Sequence, residues 1–120
     1  MNQKTNKYDL EERTARFGES VILFCRILRL DVILSPLVNQ LIRSATSIGA
    51  NYMEANAASS KKDFQNKIFI CKKESQETKH WLRMIATYCP DKKEEIRLFW
   101  KEAQELTLIF QKITTSLRNN

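Results

Sequence analysis

The sequence predicts an all-α fold, a single antiparallel four-helix bundle with up-down-up-down connectivity, and three features lead there. Two Gly and two Pro in 120 residues leave too few turn formers for many short strands. Apolar residues recur in steps of four and three over four long stretches, the mark of helices with one buried face. The joints between those stretches are short, so helices of about 20 to 27 residues, roughly 30 to 40 Å at 1.5 Å per residue, must fold back on one another. A chain of this length buries about two-thirds of the surface that it exposes when unfolded, enough for one real core.

Residues 1–8 are polar and aperiodic and read as a flexible N-terminal tail ahead of one bundle domain at 9–120. The first stripe is Leu10, Thr14, Phe17, Val21, Phe24 and Leu28, which places a helix over 9–30 with acidic residues at its start and Arg26 and Arg29 near its end. Ser35-Pro36 signals the second start, because Ser can cap free amides and Pro at the first helical position forfeits no hydrogen bond. That helix runs to about Ala58 on Leu37, Leu41, Ser44, Ile48, Asn51 or Tyr52, and Ala55, with Val38, Ile42, Ala45, Gly49 and Met53 as a second flank. Ser60 and Asp63 have capping spacing for the third, striped by Phe64, Ile68, Cys71, Ser75, Thr78, Leu82 and Ile85 and stopped at Cys89-Pro90. Asp91 opens the fourth, on Ile96, Phe99, Ala103, Leu106, Phe110, Ile113 and Leu117.

The residues offer little for catalysis. Glu77 and His80 have the Glu-x-x-His spacing of carboxylate-bridged di-iron bundles, but at 100° per residue from Lys61 the core stripe centres near 290°, whereas His80 falls at about 100° and Glu77 at about 160°. Only one His exists to supply such a site. Cys25, Cys71 and Cys89 form no Cys-x-x-Cys pair, and an odd number at irregular spacing points to a reducing compartment. Gly18 and Gly49 lie inside helices, so no phosphate-cradling loop is present. The expectation is a protein that is not an enzyme, with no cofactor and no metal. No apolar run is long enough for a signal peptide or a membrane span, which predicts a cytoplasmic protein with no membrane partner.

Binding is the better-supported class. Lys and Arg number 20 against 14 Asp and Glu, a net charge of +6, and residues 61–89 hold seven basic against three acidic residues. Four of the six net charges therefore sit on helix three. Lys61, Lys72, Lys79 and Arg83 fall between about 0° and 40° on its wheel, Lys62 and Lys73 near 100° to 120°, and Glu74 and Glu77 on the far side. One flank is basic along its length, a candidate track for the phosphates of RNA or DNA. Trp81 stands apart near 200°, so no base-stacking aromatic is expected beside these lysines. Helix two carries little charge but Ala45, Gly49 and Ala50 around its wheel, small residues that let another backbone approach closely, which predicts self-association.

The run from Gln40 through Arg43-Ser44-Ala45-Thr46-Ser47-Ile48-Gly49-Ala50-Asn51-Tyr52-Met53-Glu54, then Ser60-Lys61-Lys62-Asp63-Phe64 and Lys72-Lys73-Glu74-Ser75-Gln76-Glu77-Thr78-Lys79-His80-Trp81-Leu82, resembles the bacterial four-helix-bundle family named for the 23S rRNA intervening sequence. The likeness covers helices one to three and fades into periodicity in helix four. It implies a ring-shaped homopentamer of undefined cellular role and no catalytic residues. A related accessory protein of diversity-generating retroelements binds nucleic acid and a reverse transcriptase through a basic surface. Arg43, Ser47, Asn51 and Glu54 match the motif, and Arg43, Ser47 and Glu54 share one face suited to contacts between helices or subunits. Two functions follow as expectations: an oligomer that binds nucleic-acid backbone, or an oligomeric scaffold that recruits a protein partner such as a nucleic-acid enzyme.

Overall fold

Asp31 decides where the second helix begins. Its Oδ1 accepts hydrogen bonds from the amides of Ile33 (3.0 Å) and Leu34 (2.8 Å), and its carbonyl accepts from Ser35 (3.0 Å), so the helix is under way before Ser35-Pro36. Pro36 instead occupies the first turn, where amides have no intrahelical acceptor to lose. The computed structural model describes residues 6–118 and contains α1 (Asn6–Arg26), α2 (Leu34–Asn56), α3 (Lys61–Tyr88) and α4 (Lys93–Arg118). A short 3-10 turn at Pro90–Lys92 joins the last two. Helix α1 begins within the expected tail, whose residues 1–5 lie outside the described residues. It ends at Arg26 rather than residue 30, closing with 3-10-type bonds from the amides of Ile27 and Leu28 to the carbonyls of Phe24 and Cys25.

The other boundaries follow the sequence closely. Ser60 is extended (φ −147°, ψ 161°) and its Oγ accepts from the Asp63 amide at 3.0 Å, which caps α3 as its spacing predicts. The Cys89 amide still reaches the Ile85 carbonyl at 2.8 Å, and Pro90 then ends the helix.

The four stripes meet in one core. Val21, Leu41, Ile48, Ile68, Cys71, Leu82, Ile85, Leu106 and Phe110 are buried, and Phe99 of α4 packs against Phe17 and Phe24 of α1 with ring centroids 6.3 and 5.3 Å apart. Polar stripe positions are satisfied locally: Thr78 donates to the Glu74 carbonyl or to Ser44 Oγ, and Ser75 to the Cys71 carbonyl. Helices α1 and α2 approach backbone to backbone. A Cβ on Gly49 would stand 3.4 Å from the carbonyl carbon of Thr14, and one on Gly18 3.4 Å from Cα of Thr46.

The bundle is least closed between α1 and α4. Sequential helices pack along their lengths, but α1 and α4 meet over a short stretch held by the Phe99 contacts and by Arg13, which donates to Glu102 (2.7 and 2.8 Å) and Glu105 (2.7 Å). Those two carboxylates raise the Arg13 pKa against the effect of burial. The remaining width is a groove of about 1110 Å³ whose lining includes Leu23, Phe24, Ile27, Leu98 and Phe99. Leu23, Ile27 and Leu98 are 53%, 56% and 67% exposed.

Candidate nucleic-acid interface

Ion pairs with α2 orient the charges of α3. Arg43 donates to Glu74 (3.2 Å) and to Glu77, and Lys67 pairs with Glu54 at 2.7 Å. Glu77 first, then Glu74, holds the Arg43 guanidinium pKa above its ordinary value, and Glu54 does the same for the Lys67 ammonium. With Asp63 near 200° on the wheel, all three carboxylates of α3 lie on the edge toward α2 or behind it. The solvent face, from about 0° to 140°, carries Lys61, Lys62, Lys72, Lys73, Lys79 and Arg83 and no carboxylate. Lys61, Lys62, Lys73 and Arg83 are exposed, while Lys72 and Lys79 are half-buried.

The edge of α3 with Lys79 faces α4. Lys79 donates to Oε1 of Gln104, and its Nζ lies 5.2 Å from the ring centroid of Trp100. This contact fixes the edge of α4 that borders the basic flank. By helical geometry Lys93, Arg97 and Trp100 share that edge, within about 40° of Gln104, whereas Glu95 and Glu102 lie on the edge toward α1. Only Glu94, 3.8 Å from Arg97, tempers the basic side of the first turn. The face is thus broader than the single stripe read from α3.

It also holds aromatics that the sequence reading denied it. Trp100 is 39% exposed at the seam beside Lys79, and Phe69, 43% exposed, lines a shallow hollow of about 260 Å³ with Lys72, Lys73, Gln76 and Ile70. Phe69 was legible, since it falls near 80° on the same wheel, between the two groups of cations. Trp100 was not, because its place depends on how α3 and α4 align.

The residues expected at an oligomer interface are largely engaged within the chain. Ala45 is fully buried, Gly49 lies against Thr14, Arg43 and Glu54 pair with α3, and Ser47 accepts from Asn51 Nδ2 at 2.9 Å through both its carbonyl and its Oγ. Ala50 alone of the six is exposed and not engaged in this way, beside Met53 and Ile22 in a shallow hollow between α1 and α2. The close backbone approach predicted from small residues is therefore present, but inside the bundle. The larger exposed apolar surface is the α1–α4 groove, where the off-stripe Leu23, Ile27 and Leu98 flank the stripe residues Phe24 and Phe99.

No group of three or more His, Cys, Asp or Glu gathers among the described residues in a way that could hold a metal ion. His80 is exposed, edge-on to Trp81 at 4.9 Å, while Glu77 is taken by Arg43. Burial pushes the thiols of Cys25 and Cys71 up to about 11 and about 12, away from the reactive thiolate. No described helix is long and apolar enough to cross a membrane.

Fold and surface together define a small antiparallel four-helix-bundle protein with a basic outer face on α3, whose Glu74 and Glu77 are paired with α2. The chain belongs to the 23S rRNA-intervening sequence protein family, whose sequence profile matches residues 6–112. The match runs well into α4, beyond the three helices that carry the resemblance in sequence. Among solved structures, the chain is similar to a protein of unknown function from the S23 ribosomal protein family of Bacteroides thetaiotaomicron. That structure superposes with a TM-score of 0.83 at 26% identity, over 92% of this chain and 99% of the other. No curated protein matches the chain.

Proposed function

We propose that this protein is a non-enzymatic, self-associating helical bundle that binds the phosphate backbone of RNA or DNA across the outer face of α3 and the adjoining edge of α4. The observation that carries the reading is the charge asymmetry of α3: six cations on a solvent face without a carboxylate, and the acidic residues turned toward α2. Such a face draws affinity from counterion release. One copy binds weakly; several copies in one assembly raise the effective concentration of the next contact. The family resemblance makes a ring of five the expected assembly, and the cytoplasm is the expected location.

The test is binding to unrelated RNA and duplex DNA over a range of salt. Lys73→Gln with Arg83→Gln should weaken binding and, for duplex, lower the slope of log affinity against log salt by about 0.9 for each phosphate that is no longer neutralised. Lys67→Gln is the control, because Lys67 points to Glu54 and not to the basic face. A double variant with the parent's slope would place the track elsewhere.

The α1–α4 groove supports a second reading, a scaffold that seats a protein partner or another copy, since monomers seldom leave large apolar patches open. Ile27→Glu with Leu98→Glu should then abolish assembly or partner capture, read by light scattering, while the helical content stays unchanged. An assembled variant of unaltered mass would exclude the groove as the assembly surface.

A further inference from the structure

We infer that the basic face takes single-stranded nucleic acid, with Trp100 and Phe69 as stacking platforms for its bases; the inference rests on the backbone-binding reading and specifies its ligand. Two large aromatic side chains stand 39% and 43% exposed on a face made mainly of cations and neutral polar groups, with Glu94, Ile70 and Leu108 at its margins, and neither completes the core. Each has basic neighbours. Lys79 contacts the Trp100 ring and donates to Gln104, and Phe69 shares its hollow with Lys72, Lys73 and Gln76.

A nucleotide offers a group to answer each of these: a base for the ring, a phosphate for the ammonium, and a base edge for the amide. In a duplex the base faces are stacked on one another and only their edges and the backbone are offered, so a ring standing up from a helix surface has nothing to stack on. In a single strand the faces are free, and base–aromatic stacking tolerates any sequence because every base has a π-face. Phe69 and Lys79 are ten residues apart on α3, an axial distance of about 15 Å, which at most about four stacked nucleotides would span at 3.4 Å each. Lys72, Lys73 and Gln76 lie between them along the helix, where the connecting phosphates would run. No protein loop or sheet edge is needed; the platform is the seam of two antiparallel helices.

The experiment compares a short oligothymidylate with a duplex of equal length over the same series of salt concentrations, using the full chain and the variants Trp100→Ala, Trp100→Phe and Phe69→Ala. The single strand should bind more tightly than the duplex to the parent. Each Ala variant should lose about ten-fold in single-strand affinity, with duplex affinity and both salt slopes unchanged because no cation is removed. Trp100→Phe should recover most of the loss, and the intrinsic tryptophan emission quenched by the oligonucleotide in the parent should stop responding in Trp100→Ala. Ala variants that bind the single strand like the parent overturn the stacking inference. So does a loss matched on the duplex, which would mark a disturbed α3–α4 seam. In the first of these outcomes a salt-dependent duplex affinity would leave the backbone-binding reading standing. A parent that binds neither form removes both.

Discussion

Replacing Arg43 with Met tests how α2 holds the acidic edge of α3. Glu74 is only 8% exposed, and Arg43 reaches it at 3.2 Å while also pairing with Glu77. Methionine keeps much of the aliphatic stem and the helix propensity, so the change isolates the guanidinium. An exposed ion pair contributes at most about 1 kcal/mol, whereas stranding a fully buried charge costs about 3 to 5 kcal/mol. The Arg43 side chain is 47% exposed and that of Glu74 11%, so the site lies between these limits and the expected cost is about 2 kcal/mol. For a two-state domain of this size that corresponds to about 8 °C in Tm. The assay is thermal and urea unfolding followed by circular dichroism at fixed protein concentration, since any assembly would make Tm concentration-dependent. Glu74→Gln in the Arg43→Met background removes the stranded charge and should recover about half of the loss, giving a coupling of roughly 1 kcal/mol in the double-mutant cycle. A cost below about 0.5 kcal/mol for Arg43→Met, or strictly additive effects, would refute the view that this pair neutralises a buried carboxylate.

Gly49 lies in ordinary helical backbone, so its use is space alone: Gly49→Ala should be neutral or raise stability by up to about 1 kcal/mol through helix propensity, while Gly49→Leu should cost about 1 to 3 kcal/mol by driving α1 from α2, both read from urea midpoints. Among the cysteines, only half-buried Cys89 should be alkylated by iodoacetamide near pH 8 in the native protein, because burial holds Cys25 and Cys71 at about 11 and about 12; mass spectrometry of labelled peptides checks the order. Asp31 has its pKa lowered first by the Tyr88 hydroxyl and then by the Leu34 amide. A depressed carboxylate contributes stability above its unfolded pKa and loses it as pH falls through the folded one, so Asp31→Asn should lower Tm at neutral pH by a margin that closes below about pH 4.

What the sequence by itself determined is everything set by the 3.6-residue period and by the chemistry of helix ends. The buried residues of α1 and α3 match their stripes closely, Ser60 and Pro90 mark the ends of α3 where expected, and the six cations of α3 share the solvent side that their angles predict. Each of these depends on neighbours within a few turns, so a linear pattern records it. Asp31 shows the limit even for local signals: the sequence pointed to Ser35 as the cap of α2, and Asp31, four residues earlier and bonded to Tyr88 across the bundle end, takes the amides instead. Tertiary structure alone decided which edge of each helix faces which neighbour. The small residues of α2 could serve a partner subunit or α1; a Cβ on Gly49 would stand 3.4 Å from Thr14, so Gly49 serves α1, while Ala50 stays exposed. Trp100 joins the basic face only because α3 and α4 run antiparallel in a register that sets it against Lys79, and the apolar groove exists only because α1 and α4 part beyond Phe99. A helical wheel gives the angle of a side chain about its own axis. The rotation and offset of that axis against the next arise from packing summed over whole helices, which no short window of sequence contains.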